Sequence, residues 1–73
     1  MEMTLRQIIE KMYEGDILSI HNEVGYVVFN SRVADLQKPV TKKIVSMYLD
    51  YPVARIRAYE GAVVVALGFK EVQ

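Results

Sequence analysis

A helical stripe followed by a pair of strands occurs twice in this 73-residue chain. A shift of 36 residues aligns the two occurrences without a gap, and turn glycines, strand interiors and helical stripes coincide at this offset, as Gly25 and Gly61 do. Repeats this short cannot stand alone, so two copies would share one core. We predict a single domain over residues 1–73 with candidate αββ repeats at 1–36 and 37–72. The alternative is that any two helix–hairpin units look alike.

The first unit should begin with a helix. Thr4 followed three residues later by Gln7 is a capping-box pattern, and Gly15 stands where the residue after a helix end is expected. Residues 16–21 and 26–30 are rich in β-branched and aromatic side chains, which predicts a hairpin. The predicted helix packs through one apolar stripe at helical spacing: Leu5, Ile8, Ile9 and Met12.

The second unit repeats this order. Pro39 is tolerated in the first turn of a helix, and residues 53–59 and 62–69 flank Glu60 and Gly61, the length of a two-residue hairpin turn. Between them, apolar residues at helical spacing predict a helix that ends before Pro52 and packs in the core: Val40, Ile44, Met47, Tyr48 and Tyr51.

The hairpin pairing divides the strand residues between two faces, because residues opposite each other across a turn point to the same side. One face is apolar and should receive both helices: Leu18, Ile20, Val27, Phe29, Ala54, Ile56, Ala58, Val63, Val65 and Leu67. The fold class predicted is α+β, a two-layer sandwich of a four-stranded antiparallel sheet with two helices on one face. The other face mixes aromatic, apolar and basic residues, where a merely solvated sheet face would be mostly polar.

This second face is the predicted binding surface, since Tyr and Arg are enriched at protein interfaces. Four alternatives remain for what contacts this face: a second copy of the chain, another protein, single-stranded nucleic acid held by stacking and phosphate contacts, and plain solvent. Self-association is favoured. The candidate residues are His21, Tyr26, Val28, Arg55, Arg57, Tyr59 and Val64. Lys38, Lys42 and Lys43 form a second basic group, expected to be a solvated helix start.

Composition excludes several classes of chemistry. Nine Lys and Arg balance nine Asp and Glu, so there is no overall basic excess for a phosphate backbone. Without cysteine there is no disulfide framework, thiol nucleophile or zinc-finger site. His21 is the single histidine, and Glu10 with Glu14 is expected to be a solvated pair. We therefore expect no enzyme activity, no metal or other cofactor, and no small-molecule substrate.

The N-terminal residues carry no basic stretch followed by an apolar run, so no signal peptide is expected. The longest apolar run covers residues 62–67, well below the about 20 residues needed to span a bilayer. We expect a cytoplasmic protein without a membrane partner.

Residues 4–36 resemble small uncharacterised proteins encoded by phages, plasmids and other mobile elements of Gram-positive bacteria. The resemblance lies in the stretch Thr-Leu-Arg-Gln-Ile-Ile-Glu-Lys-Met, the following Gly-Asp, a hairpin through Asn22 and Gly25, and Val-Ala-Asp-Leu. It implies an accessory role, aimed at a host or defence protein. Together with the open face, it leads to the hypothesis of a homodimeric protein-interaction module; the alternative is a small nucleic-acid-binding protein.

Overall fold

A helix, two strands, a short 3-10 helix, a second helix and two more strands follow one another in the computed structural model, which describes residues 3–69. This order confirms an α+β fold. The elements are α1 (Leu5–Glu10), β1 (Ile17–His21), β2 (Val27–Arg32), the 3-10 helix (Val33–Gln37), α2 (Pro39–Ser46), β3 (Val53–Tyr59) and β4 (Ala62–Leu67).

The four strands form one mixed sheet in the order β2-β1-β4-β3. Each hairpin is antiparallel, but β1 runs parallel to β4, so the predicted all-antiparallel sheet is wrong. Local patterns determine pairing within a hairpin, whereas the docking of one hairpin on the other depends on the path through α2. The 36-residue shift makes β3 the counterpart of β1. However, β1 lies inside the sheet and β3 at its edge, so the two candidate repeats do not occupy equivalent positions, and the repeat stays a prediction.

Both helices pack on one face of the sheet. Leu5 and Ile8 from α1 and Val45 from α2 are buried in the same apolar cluster as the inward residues of β1 and β4. The completely buried side chains are Leu5, Leu18, Ile20 and Val65. The helix layer thus covers the two interior strands, and this face is called the helix face below; the opposite one is called the open face.

Local hydrogen bonds explain where α1 begins and ends. The predicted capping box is confirmed, with the Thr4 hydroxyl accepting from the Gln7 N–H and the Gln7 side chain accepting from the Thr4 N–H. The helix ends earlier than Gly15 suggests, with Lys11 as its C-terminal cap. The Asp16 carboxylate accepts from the Tyr13 N–H at 2.8 Å, and the Asp16 N–H donates to the Tyr13 C=O at 3.0 Å, so this pair closes a turn in place of another helical turn.

α2 buries a different side from the predicted one. Val45 is 5% exposed, whereas Val40 is 75% and Met47 62% exposed, so the prediction that these two belong to the core is wrong. Ile44 is also exposed, while Tyr48 and Tyr51 pack against the core from beyond the helix end. Because apolar residues lie on more than one side of residues 40–49, helical spacing alone does not fix which side faces the sheet.

The second hairpin has the predicted two-residue turn. Glu60 and Gly61 both have positive φ, 48° and 80°, as a type I′ turn requires. Tyr59 lies opposite Ala62, and the register continues through Arg57 opposite Val64. The two faces predicted for this hairpin are therefore confirmed from Arg55 to Ala66. The predicted position of Ala54 on the helix face is wrong, because a bulge leaves it as the extra residue and Val53 lies opposite Leu67 and packs against the core.

A β-bulge shifts the register of the first hairpin. Ile20 lies opposite Phe29, but His21 lies opposite Val27, which leaves Val28 as the extra residue. Val28 packs against the core cluster, and Val27 takes the place opposite His21 on the open face with 55% of its surface exposed. The predicted positions of Val27 and Val28 are therefore reversed, because an even alternation does not survive an inserted residue.

Candidate binding site

The open face is a grid of three rows, each crossing the sheet from β2 to β3. Every row has small or medium side chains on the two interior strands and a long or charged side chain at the β3 edge. The rows are Arg32, Ile17, Ala62 and Tyr59; Asn30, Ser19, Val64 and Arg57; and Val27, His21, Ala66 and Arg55.

This grid forms a shallow depression of about 450 Å³ on the open face. Ser19 and Val64 lie at its centre and are each only 8% exposed. Longer side chains surround them, since Arg57 and Tyr59 line the depression from β3 and Asn30 lines it from β2. A ligand resting here would contact the bordering side chains more than the centre.

Five of the seven predicted site residues share the open face. His21, Arg57, Tyr59 and Val64 line the depression, and Arg55 lies in the row of His21. The low exposure of Val64 makes it part of the floor rather than a protruding contact.

The two remaining predicted residues lie elsewhere. Tyr26 precedes β2 in the hairpin connection, where its N–H donates to the Asn22 side chain; it is 73% exposed and does not line the depression. Val28 belongs to the helix face because of the bulge, so its placement on the binding surface is wrong.

Two residues of the open face were missed by the sequence reasoning. β2 continues to Arg32, two residues beyond the predicted strand end, which places Arg32 opposite Ile17. Ile17 is 41% exposed and lines the depression. Side chains alternate along a strand, so residues 30 and 32 share a face, as do residues 17 and 19 opposite them. Extending both strands of the first hairpin away from the turn would therefore have predicted Arg32 and Ile17 on the open face.

The open face carries three arginines that make no ion pair with any other described residue. Within residues 3–69 the ion pairs join Arg6 to Asp50 and Lys38 to Asp35, both on other parts of the surface, and Arg32, Arg55 and Arg57 take part in none. Glu60 is the acidic residue that lines the depression. The arrangement favours a ligand that brings its own negative charge.

Ser19 and His21 both line the depression from β1, but within residues 3–69 no hydrogen bond joins their side chains. The Asp16 carboxylate just before this strand accepts from the Tyr13 N–H and is not hydrogen-bonded to His21. In the part of the chain that the structure describes, no group of three or more His, Asp or Glu residues could hold a metal ion.

Comparison of the chain with protein-family models, with curated proteins and with solved structures found no match. Neither α1 nor α2 is long and apolar enough to cross a bilayer, and this holds for every helix within the described residues.

Proposed function

We propose that this protein is a non-enzymatic interaction module that binds an acidic region of another protein on its open face. The observation that carries the proposal is the set of three arginines, Arg32, Arg55 and Arg57, exposed on one side of the sheet with no carboxylate paired to them among residues 3–69. Arginine forms two parallel hydrogen bonds to a carboxylate, so these side chains suit an acidic surface.

Charge favours a different protein over a second copy at this face. Stacking two open faces would bring three arginines from each copy together, with Glu60 of each copy as the acidic residue nearby. Burying cations without partners costs more free energy than the added apolar contacts return. The resemblance to proteins of mobile elements is in keeping with a partner from the host.

The non-enzymatic part of the proposal rests on the chemistry of the depression. Within residues 3–69 no hydrogen bond joins its histidine and serine, His21 and Ser19, and the Asp16 carboxylate is engaged by the Tyr13 N–H instead of orienting the histidine. The depression is also open and shallow, whereas catalytic sites gain from enclosure that excludes water.

The test is to capture partners of the intact chain from a lysate of the source cell. Light scattering of the purified chain and its variants gives their oligomeric state in parallel. Arg57→Glu reverses one charge on the open face, and Lys43→Glu makes the same type of change on α2 as the matched control. We expect the parent chain and Lys43→Glu to capture the same acidic protein in equal amounts, with or without nuclease treatment of the lysate. We expect Arg57→Glu not to capture it. Equal recovery by all three chains would contradict the proposal. So would a dimer that Arg57→Glu converts to a monomer, because it would assign the face to self-association.

Nucleic acid is a second candidate, favoured by Tyr59, which is 64% exposed beside Arg57 on the same face of β3. An exposed aromatic ring next to a guanidinium can hold a base by stacking while the cation contacts phosphate. Binding of a single-stranded oligonucleotide should then weaken steeply with added salt and be lost in Tyr59→Ala. No mobility shift at low salt would exclude this candidate.

A further inference from the structure

β3 is an edge strand, and the helices leave its residues 54–59 uncovered. Its helix-face residue Ile56 is 50% exposed and the other residues from 54 to 59 are exposed as well, although Val65, opposite Ile56 on β4, is completely buried. Both edge strands contain a bulge, at Val28 in β2 and at Ala54 in β3, and a bulge discourages pairing with a further strand. Beyond its bulge, β3 pairs regularly with β4 over residues 55–59 without proline, a longer regular stretch than residues 29–32 of β2.

The turn fixes which backbone groups of β3 point outward. In a two-residue hairpin the residues that flank the turn form a hydrogen-bonded pair, so Tyr59, Arg57 and Arg55 bond to β4. The N–H and C=O groups of the alternate residues, Ile56 and Ala58, must then point away from the sheet. Four backbone groups therefore face outward without a ladder partner within residues 3–69.

The same edge already accepts a backbone partner at its beginning. The Val53 N–H donates to the Met3 C=O at 2.7 Å, and Thr4 bridges Pro52 in antiparallel orientation. An added strand alongside residues 55–59 would lie on the same edge, beyond the bulge at Ala54. The geometry for strand addition is thus present on the outer side of β3.

We infer that the outer edge of β3 binds an extended segment of the partner in which acidic and apolar residues alternate. The segment would bond to the backbone of Ile56 and Ala58. Its acidic side chains would lie beside Arg55 and Arg57 on the open face, and its apolar ones beside Ile56 on the helix face, because side chains alternate along a strand. This inference rests on the proposed function, since it specifies how the acidic partner is held.

A second copy of β3 is a poor occupant of the same edge. Antiparallel pairing of two β3 strands centred on Ile56 would place Arg55 of each copy opposite Arg57 of the other, and pairing centred on Arg57 would oppose the two Arg57 side chains. Like charges directly opposite each other destabilise a strand pair. An acidic segment meets the arginines with opposite charge instead.

The experiment is a titration of the isotope-labelled chain with three peptides, followed by NMR. In the first peptide Glu and Val alternate, the second has the same composition with the Glu residues together and the Val residues together, and the third alternates Lys and Val. At millimolar concentration we expect the first peptide to slow amide hydrogen exchange at Ile56 and Ala58 by about tenfold or more. We expect the other two to leave these amides unchanged.

The outcomes separate this inference from the proposed function. If both acidic peptides shift the signals of Ser19 and Val64 but neither protects Ile56 and Ala58, acidic binding on the open face stands and strand addition is wrong. If neither acidic peptide shifts any signal, both are contradicted.

A variant provides the second measurement. Ala58→Pro removes one outward N–H, and edge strands tolerate proline where the N–H faces solvent. Its NMR spectrum reports whether the fold is kept. We expect a folded variant that no longer binds the alternating acidic peptide, and unchanged binding would overturn the inference. If the variant does not fold, the comparison between the first two peptides still decides the matter.

Discussion

Ile56 and Val65 lie opposite each other on β3 and β4, yet Val65 is completely buried and Ile56 is 50% exposed. Two apolar residues on one face of one sheet therefore have different environments. The boundary of the helix layer runs between them: Val65 belongs to the core cluster that contains Leu5 and Val45 of the helices, whereas residues 54–59 of β3 are exposed. This boundary makes residues 54–59 accessible on both faces and along their outer edge, whereas the interior strands offer the open face alone.

The first prediction follows from this difference in burial. Val65→Ala should lower the free energy of unfolding by about 2–3 kcal/mol, because two buried methyl groups are lost and a cavity remains. Ile56→Ala removes more atoms but should cost at most about 1 kcal/mol, since half of the side chain is already in water. Urea denaturation of both variants measures the two costs. Equal costs would mean that another molecule covers Ile56 in solution.

The sequence predicted the local pairing of the second hairpin but not its surroundings. The bounds of β3, the turn at Glu60 and Gly61, and the register with β4 from Arg55 to Tyr59 follow from side-chain alternation and turn chemistry, both of which act over a few residues. The bulge at Ala54 was not predicted. The parallel contact between β1 and β4 is a pairing of distant segments. It depends on how the hairpins dock under the helices, which no local pattern records.

The same distinction applies to the candidate site. Arg55, Arg57 and Tyr59 were placed correctly because they lie on a regular strand next to a two-residue turn. Val28 was misplaced because one inserted residue reverses the alternation beyond it. Arg32 was missed because the predicted strand stopped too early.

The second prediction concerns the turn between β3 and β4. Glu60 has φ of 48°, a left-handed conformation that Asn adopts at lower cost than Glu. Glu60→Asn should raise the free energy of unfolding by about 0.5–1 kcal/mol. For a domain of this size, that corresponds to an increase in Tm of about 2–8 °C.

The control for this change is Glu60→Ala, which removes the same carboxylate without relieving the backbone. Thermal unfolding should place its Tm close to that of the parent chain. A gain as large as that of Glu60→Asn would show that the charge of Glu60, and not its backbone conformation, limits stability.

The third prediction concerns the first hairpin. The Asn22 side-chain oxygen accepts from the N–H groups of Val24 and Tyr26 at 3.1 and 2.9 Å, which holds the loop closed. Asn22→Ala should cost about 1 kcal/mol, because both N–H groups lose this acceptor and water replaces it only in part. Asn22→Asp keeps the accepting oxygen and should stay within about 0.5 kcal/mol of the parent. If chemical denaturation gives equal losses for both, the two hydrogen bonds do not account for the stability of the loop.

The fourth prediction separates binding residues from stabilising ones. Arg32 and Arg55 lie on opposite edge strands, make no ion pair within residues 3–69 and are both exposed. Arg32→Ala and Arg55→Ala should each change the free energy of unfolding by less than about 0.5 kcal/mol, as surface changes away from specific contacts do. Both should nevertheless weaken binding of the acidic partner.

The double variant tests whether one partner reaches both edges. Arg32 and Arg55 lie three strand spacings apart across the sheet and two rows apart along it, about 20 Å in all, so their effects on binding free energy should add if one acidic surface covers the open face. Isothermal titration with the captured partner gives these values. If Arg55→Ala weakens binding and Arg32→Ala does not, the partner is confined to the β3 side of the sheet.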